Sequence, residues 1–302
     1  MLENLKAMLT NNFENELLEE AIKNLNSNSR IRFSNFAFVT RELVDILLKN
    51  LAEDENIKRC DWYIEPQNAE RKIYRNHRIR YIIQGGFSEN IFDLMLGVNF
   101  NNAICNINNY FRDELSKNVH LTEQCLNYSN EEIEEKTKDF EYIIDKFLLM
   151  INNVRQQIIK FLETEIAQIV TDEFLSQTIE GLDILSTHTG IDFIDIEELE
   201  INSITSDRII GTIIGNVNVI LQYGSDRDVR EDFGEEIFDS YPFESHFEID
   251  IEPLNELFKN LARAELQDED FISNNFMQDF RRAMLDNINI NQIVVNTDSF
   301  YE

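Results

Sequence analysis

At 302 residues, with 43% hydrophobic and 28% charged side chains, the chain has room for one large or two ordinary cores and is too apolar for a disordered polymer. Its formal net charge of -30 excludes a general attraction to nucleic acid, because a field of that sign repels phosphates; any nucleic-acid contact has to be local. The 3 cysteines lack CxxC spacing, which excludes a zinc ribbon or a disulfide framework, and only 3 prolines and 9 glycines interrupt helices.

The amino terminus is amphipathic and acidic, without the basic start and apolar centre of a signal peptide, and no stretch reaches the ~18 apolar residues of a membrane span. A cytoplasmic chain with no membrane segment is expected. Leu2, Leu5, Leu9, Phe13, Leu17 and Ile22 recur at helical spacing and predict one helix up to the loop signal NSNS. A second helix is predicted from near Ser34, with Phe38, Leu43, Ile46, Leu47 and Leu51 inward, ending in AEDEN.

The next stretch holds the one basic island: Lys58, Arg59, Arg71, Lys72, Arg75, Arg78 and Arg80, with His77, against Asp61, Glu65 and Glu70. Such a run is a solvated face or a phosphate-contacting surface, and it nominates Arg71, Arg75, His77, Arg78 and Arg80 as nucleic-acid-binding residues. Trp62 reads as a packed anchor, since aromatic rings mostly serve cores. Asp61, Glu70 and Lys72 imitate the D…ExK word of metal-dependent nucleases, although those enzymes place it on adjacent strands. Gly85 and Gly86 interrupt a helical pattern and predict a loop between two helices, because paired glycines each cost about 1 kcal/mol in a helix.

The stretch YFRDELSKNVHL then brings Arg112, Ser116 and His120 onto one helical row, four residues apart, with Lys117 and Asn118 beside the histidine. A cation, a small polar group and an imidazole are what a metal-independent ribonuclease needs. A histidine with its usual pKa of about 6.5 takes a proton from a ribose 2′-hydroxyl or returns one to the leaving oxygen, and a fixed cation stabilises the phosphate charge. His120 can equally be a helix end, where cations are favoured.

From Asn130 to Thr187 a long helical region follows, acidic at its start, with Ile158, Phe161, Leu162, Ile166, Ile169 and Val170 as its apolar stripe and a polar break expected near Asp172. At His188 the period changes from 3.6 to 2. IDFIDIEELEINSIT, DRIIGTIIGNVNVILQYG and YPFESHFEIDI predict strands, with Thr205, Ser206 and Asp207 as the first hairpin turn. The acidic loop with Asp226, Asp228, Asp232, Glu235 and Glu236 offers oxygen ligands but lacks the spacing of a calcium loop and reads as solvated. His246 reads as structural, and amphipathic helices with a short strand NQIVVN close the chain. The fold class predicted is α+β: a helical bundle over 1–187 and a smaller β-rich domain with C-terminal helices over 188–302.

RELVDILLKNLAEDENIKRCDWY, YIIQGGFS, YFRDELSKNVHLTEQ and LQYGSDRDV resemble segments of the predicted nucleases associated with prokaryotic Piwi proteins, found in bacterial anti-phage defence loci. The helical half is similar to HEPN-type ribonuclease bundles, in which a polar residue and a histidine from each of two protomers meet. The resemblance implies a metal-independent endoribonuclease acting as a homodimer on RNA, without cofactor, beside other defence proteins. His120, Lys117, Asn118 and Arg112 would be its catalytic residues. Seven residues separate Arg112 from His120, against the four to six usual in such bundles; Arg71 and His77, with five between them, fit that spacing. The alternative that the net charge favours is a non-catalytic acidic adaptor, sensor or inhibitor that docks on a basic partner.

Overall fold

The computed structural model describes residues 2–67, 70–88, 91–96, 99–176, 179–264 and 269–298. The fold is α+β, helices first and then a four-stranded antiparallel sheet with further helices. The chain divides into two compact units, Met1–Val154 and Arg155–Glu302, and the division falls within a single long helix.

The first unit is helical. Its opening segment is two helices and not one: α1 (Glu3–Ala7) stops, and Asn11 caps α2 (Asn12–Leu25) by accepting the Glu14 N–H at 3.0 Å. The Glu14 carboxylate is buried, and in return accepts the Thr10 N–H at 2.6 Å and the Asn50 amide at 2.6 Å, which ties α2 to α3 (Arg32–Leu51). Helix α3 is the spine of the unit, packed against α2, α5 (Arg75–Gln84) and α8 (Leu115–Val119). Phe36 and Ala37 are buried on it, whereas Phe38, expected inward, is exposed. The hydrophobic face is set by Phe33, Phe36, Leu43 and Leu47, and Phe38 falls on the opposite side. Between these helices lie α4 (Asp54–Arg59), α6 (Ile91–Leu96) and α7 (Phe100–Asn109). Helix α9 (Asn130–Leu162) adds Phe140, whose ring meets Phe36 edge to face at 5.9 Å.

Gly85 ends α5 at φ 56, a backbone angle that glycine adopts without steric cost, so the glycine pair does form the expected loop between helices. The break expected near Asp172 lies earlier, at Glu163–Glu165, and α10 (Ile166–Ser176) runs through Asp172, whose carboxylate accepts a surface hydrogen bond from Gln168. A polar residue on the solvent side of a helix does not stop it.

In the second unit, α11 (Glu180–Asp183) precedes β1 (His188–Ile204), β2 (Arg208–Tyr223) and β3 (Glu235–Asp250), with α12 (Asp226–Arg230) between the last two; α13 (Ile251–Ala264), α14 (Glu269–Asp286) and β4 (Ile288–Val295) follow. Sheet order is β1-β2-β3-β4, each pair antiparallel. The change of period at His188 is the first residue of β1, and Thr205 closes the hairpin by hydrogen bonds with Arg208. Ile209, Ile213, Val217, Tyr241, Phe243, Phe247 and Ile249 alternate onto one buried face, where Phe174 of α10 meets Phe243 edge to face at 5.1 Å. The acidic loop is partly α12: the Asp228 carboxylate accepts the Ser225 N–H at 2.9 Å and hydroxyl at 2.6 Å, as a capping group.

Candidate active site

The helix that carries the polar stretch is not a plain α-helix. Tyr110–Glu114 is a π-turn, in which the Leu115 N–H donates to the Tyr110 carbonyl five residues back; α8 resumes at Leu115 and ends at Val119. The expected single row of Arg112, Ser116 and His120 therefore does not form. Arg112 lies within the wider turn and Ser116 beyond it, and His120 leaves the helix with extended backbone at φ -81 and ψ 117. Phe111, Leu115 and Asn118 face inward, while Arg112, Lys117 and His120 face solvent.

Arg112, Lys117 and Asn118 each have a partner. Arg112 pairs with its neighbour Asp113 at 2.8 Å and Lys117 with Glu114 at 2.8 Å. Asn118 is buried, its amide donating to the Glu114 carbonyl at 2.7 Å and accepting from the Tyr128 hydroxyl at 2.9 Å. Both ends of that side chain are tied, so Asn118 links α8 to the segment after it. The His120 imidazole makes no hydrogen bond or ion pair among the described residues; its carbonyl accepts from the Cys125 thiol at 3.7 Å. Burial pushes the Cys125 thiol up, but a hydrogen bond with Thr122 and the nearby hydroxyls of Ser34 and Tyr128 together hold it below its ordinary pKa. No disulfide joins the three cysteines.

The basic island is spent largely on internal contacts. Arg75 forms a two-pronged pair with Asp45 of α3, at 2.9 and 3.0 Å. Arg78 is buried and donates to the Ala52 carbonyl and to Asp54. Arg80 donates to Asn101 and lies over the Trp62 ring at 5.5 Å. Arg71 is exposed, with Nε donating to the Ile73 carbonyl at 2.8 Å, and Lys72 pairs with Glu65 at 2.8 Å. His77 is walled by the rings of Tyr63 at 5.4 Å, Tyr74 at 5.7 Å and Trp62 at 6.4 Å, and its Nδ1 accepts the Tyr74 N–H at 3.3 Å. Burial, aided by Arg80 and Arg78, lowers the pKa of His77.

Trp62 is the packed anchor that its composition predicts: its indole N–H donates to the Gly85 carbonyl at 2.7 Å. Asp61, Glu70 and Lys72 lie in the connection between α4 and α5, not on strands. No group of three or more His, Cys, Asp or Glu side chains that could hold a metal ion occurs among the described residues. No helix among them is long and apolar enough to cross a membrane.

A helical unit with a solvent-facing histidine beyond a π-turn, followed by an antiparallel sheet unit, is the class that fold and site define. Residues 6–143 match one family of predicted pPIWI-associating nucleases and residues 151–271 a second, together most of the chain. The chain belongs to the predicted pPIWI-associating nucleases. No curated protein matches it, and no solved structure does.

Proposed function

We propose that the chain is a nuclease of anti-phage defence that works with a pPIWI protein and cuts RNA as a homodimer, without a metal ion. The observation that carries this reading is the exposed His120 imidazole, unengaged among the described residues, with Arg112 and Lys117 exposed on the two turns before it. In the reaction proposed, one His120 takes the proton of a ribose 2′-hydroxyl as that oxygen attacks phosphorus. The bond to the 5′-oxygen breaks, the partner protomer's imidazole protonates that oxygen, and a 2′,3′-cyclic phosphate remains. Arg112 and Lys117 neutralise the charge that grows on the phosphate. Both must leave surface ion pairs to do so, and exposed pairs of this kind hold their partners only weakly. The dimer is proposed from the likeness of the helical half to HEPN-type bundles, in which two protomers meet, since one α8 would supply only half of such a site.

The test is cleavage of labelled RNA and single-stranded DNA by the purified protein, in EDTA and in magnesium. Wild type is expected to cut RNA in EDTA. His120→Ala should slow cleavage by about 100-fold or more, with an unchanged melting temperature because the side chain is exposed. Cleavage that requires magnesium, or that survives His120→Ala, rejects the mechanism.

A second reading, a non-catalytic acidic adaptor, is supported by the internal employment of Arg75, Arg78 and Arg80, which leaves little of the basic island for phosphates. Absence of cleavage in every condition, with the pPIWI protein added, would favour it.

A further inference from the structure

The sheet of the second unit has two unlike faces. One is the core described above. The other is open, and its register reads in rows across β1, β2 and β3: Gly190–Ile220–Phe238, Phe193–Asn218–Ser240, Asp195–Asn216–Pro242, Glu198–Ile214–Glu244, Glu200–Thr212–His246 and Ser203–Ile210–Glu248. Phe193 and Phe238 are 54% and 69% exposed, in adjacent rows that flank Ile220, so an apolar step stands at one end. Toward the other end carboxylates gather from the two strands that flank β2: Asp195, Glu198 and Glu200 on β1, and Glu244, Glu248 and Asp250 on β3. Arg208 is the cation among these rows, and it is already paired with Glu248 at 2.6 Å. Carboxylates gathered on one face repel one another even with β2 between them, and an exposed phenylalanine pair gains nothing in water. A surface that retains both has its energetic reason in what covers it.

We propose that this face is a docking surface for a protein partner that presents lysines or arginines around an apolar side chain. Phe193, Ile220 and Phe238 receive the apolar group, and the carboxylate rows steer and orient the basic ones. Charge complementarity decides the occupant. A phosphate backbone is repelled by these rows, and a second copy of this face would set carboxylate against carboxylate. The inference rests on the reading that the chain works with a pPIWI protein, which is therefore the probe.

Binding of purified full-length chain to purified pPIWI protein is measured by biolayer interferometry at low and high salt. Three proteins are compared: wild type, Phe193→Ser/Phe238→Ser, and Glu198→Lys/Glu244→Lys. The first variant is expected to bind at least about tenfold more weakly through faster dissociation. The second should associate more slowly and lose the salt dependence. RNA cleavage should be unaltered, and neither variant should melt below wild type. Equal binding by all three overturns the surface while leaving the association intact. No binding by wild type, with RNA cleavage present, overturns both. Wild-type dimers that become monomers in either variant by light scattering would make the occupant a second copy, which also overturns the proposal.

Discussion

His77 is held among Trp62, Tyr63 and Tyr74, and with Nδ1 accepting a backbone N–H its remaining proton belongs on Nε2. Its folded pKa lies below its ordinary value, first because of burial and then because Arg80 and Arg78 stand near. The sign follows: a depressed histidine contributes stability that is full above about pH 6.5 and lost as pH falls toward the folded pKa. The melting temperature of wild type is therefore expected to fall as pH drops below about 6.5, and that of His77→Gln to fall less over the same interval. An identical slope in both would show that His77 is not the group responsible. At this scale the sequence was partly legible. Residue types announced a polar stretch around His120, but not that Asn118 turns inward to Tyr128, since that depends on a partner ten residues away. The cations 75, 78 and 80 were visible as charge, and their internal partners Asp45, Asp54 and Trp62 were not, because spacing along a chain does not report which face packs.

Among elements, the sheet is the more demanding structure. A Cβ on Gly211 would collide with the Phe247 ring and the Glu200 carbonyl, and one on Gly215 with the Asp195 carbonyl. β1 crosses there with bulges at Ile191/Phe193, Ile196/Glu198 and Ile201/Ser203, which bring its backbone close over β2. Gly211→Ala is expected to cost about 1–3 kcal/mol, read as a lowered urea midpoint; an unchanged midpoint would mean that β1 can shift to admit a methyl group. The strands were legible because alternation is written into Ile209 to Leu221 and Tyr241 to Ile249, one face of which is buried throughout. The helices were legible by period, their ends less so. Hydrophobic spacing runs smoothly across Met8–Asn11 and Glu163–Glu165, where the backbone nonetheless turns. The π-turn has no compositional sign at all.

At the scale of the whole molecule, a net charge of -30 is self-repulsion that folding must overcome. Several ion pairs among the described residues are exposed side chains on one helix, such as Lys58 with Glu55 and Lys138 with Glu134, which offset little of it. Raising salt from about 10 to about 150 mM shortens the screening length from ~30 to ~8 Å, so the melting temperature is expected to rise. A fall would mean that attractive pairs outweigh the repulsion. This property was fully legible, being a count of side chains; the segregation of carboxylates onto one sheet face was not, because it needs the register.

The π-turn between Tyr110 and Glu114 also has a historical meaning. A helix that gains one residue can hold it as a single wide turn, so the inward residues on either side, Ile107 before and Leu115 after, keep their places in the core. Such a turn is a point at which evolution can lengthen or shorten the helix by one residue without repacking the protein. What changes is the bearing of Arg112 relative to His120, so that the proposed site could be altered at this turn while the scaffold stays still.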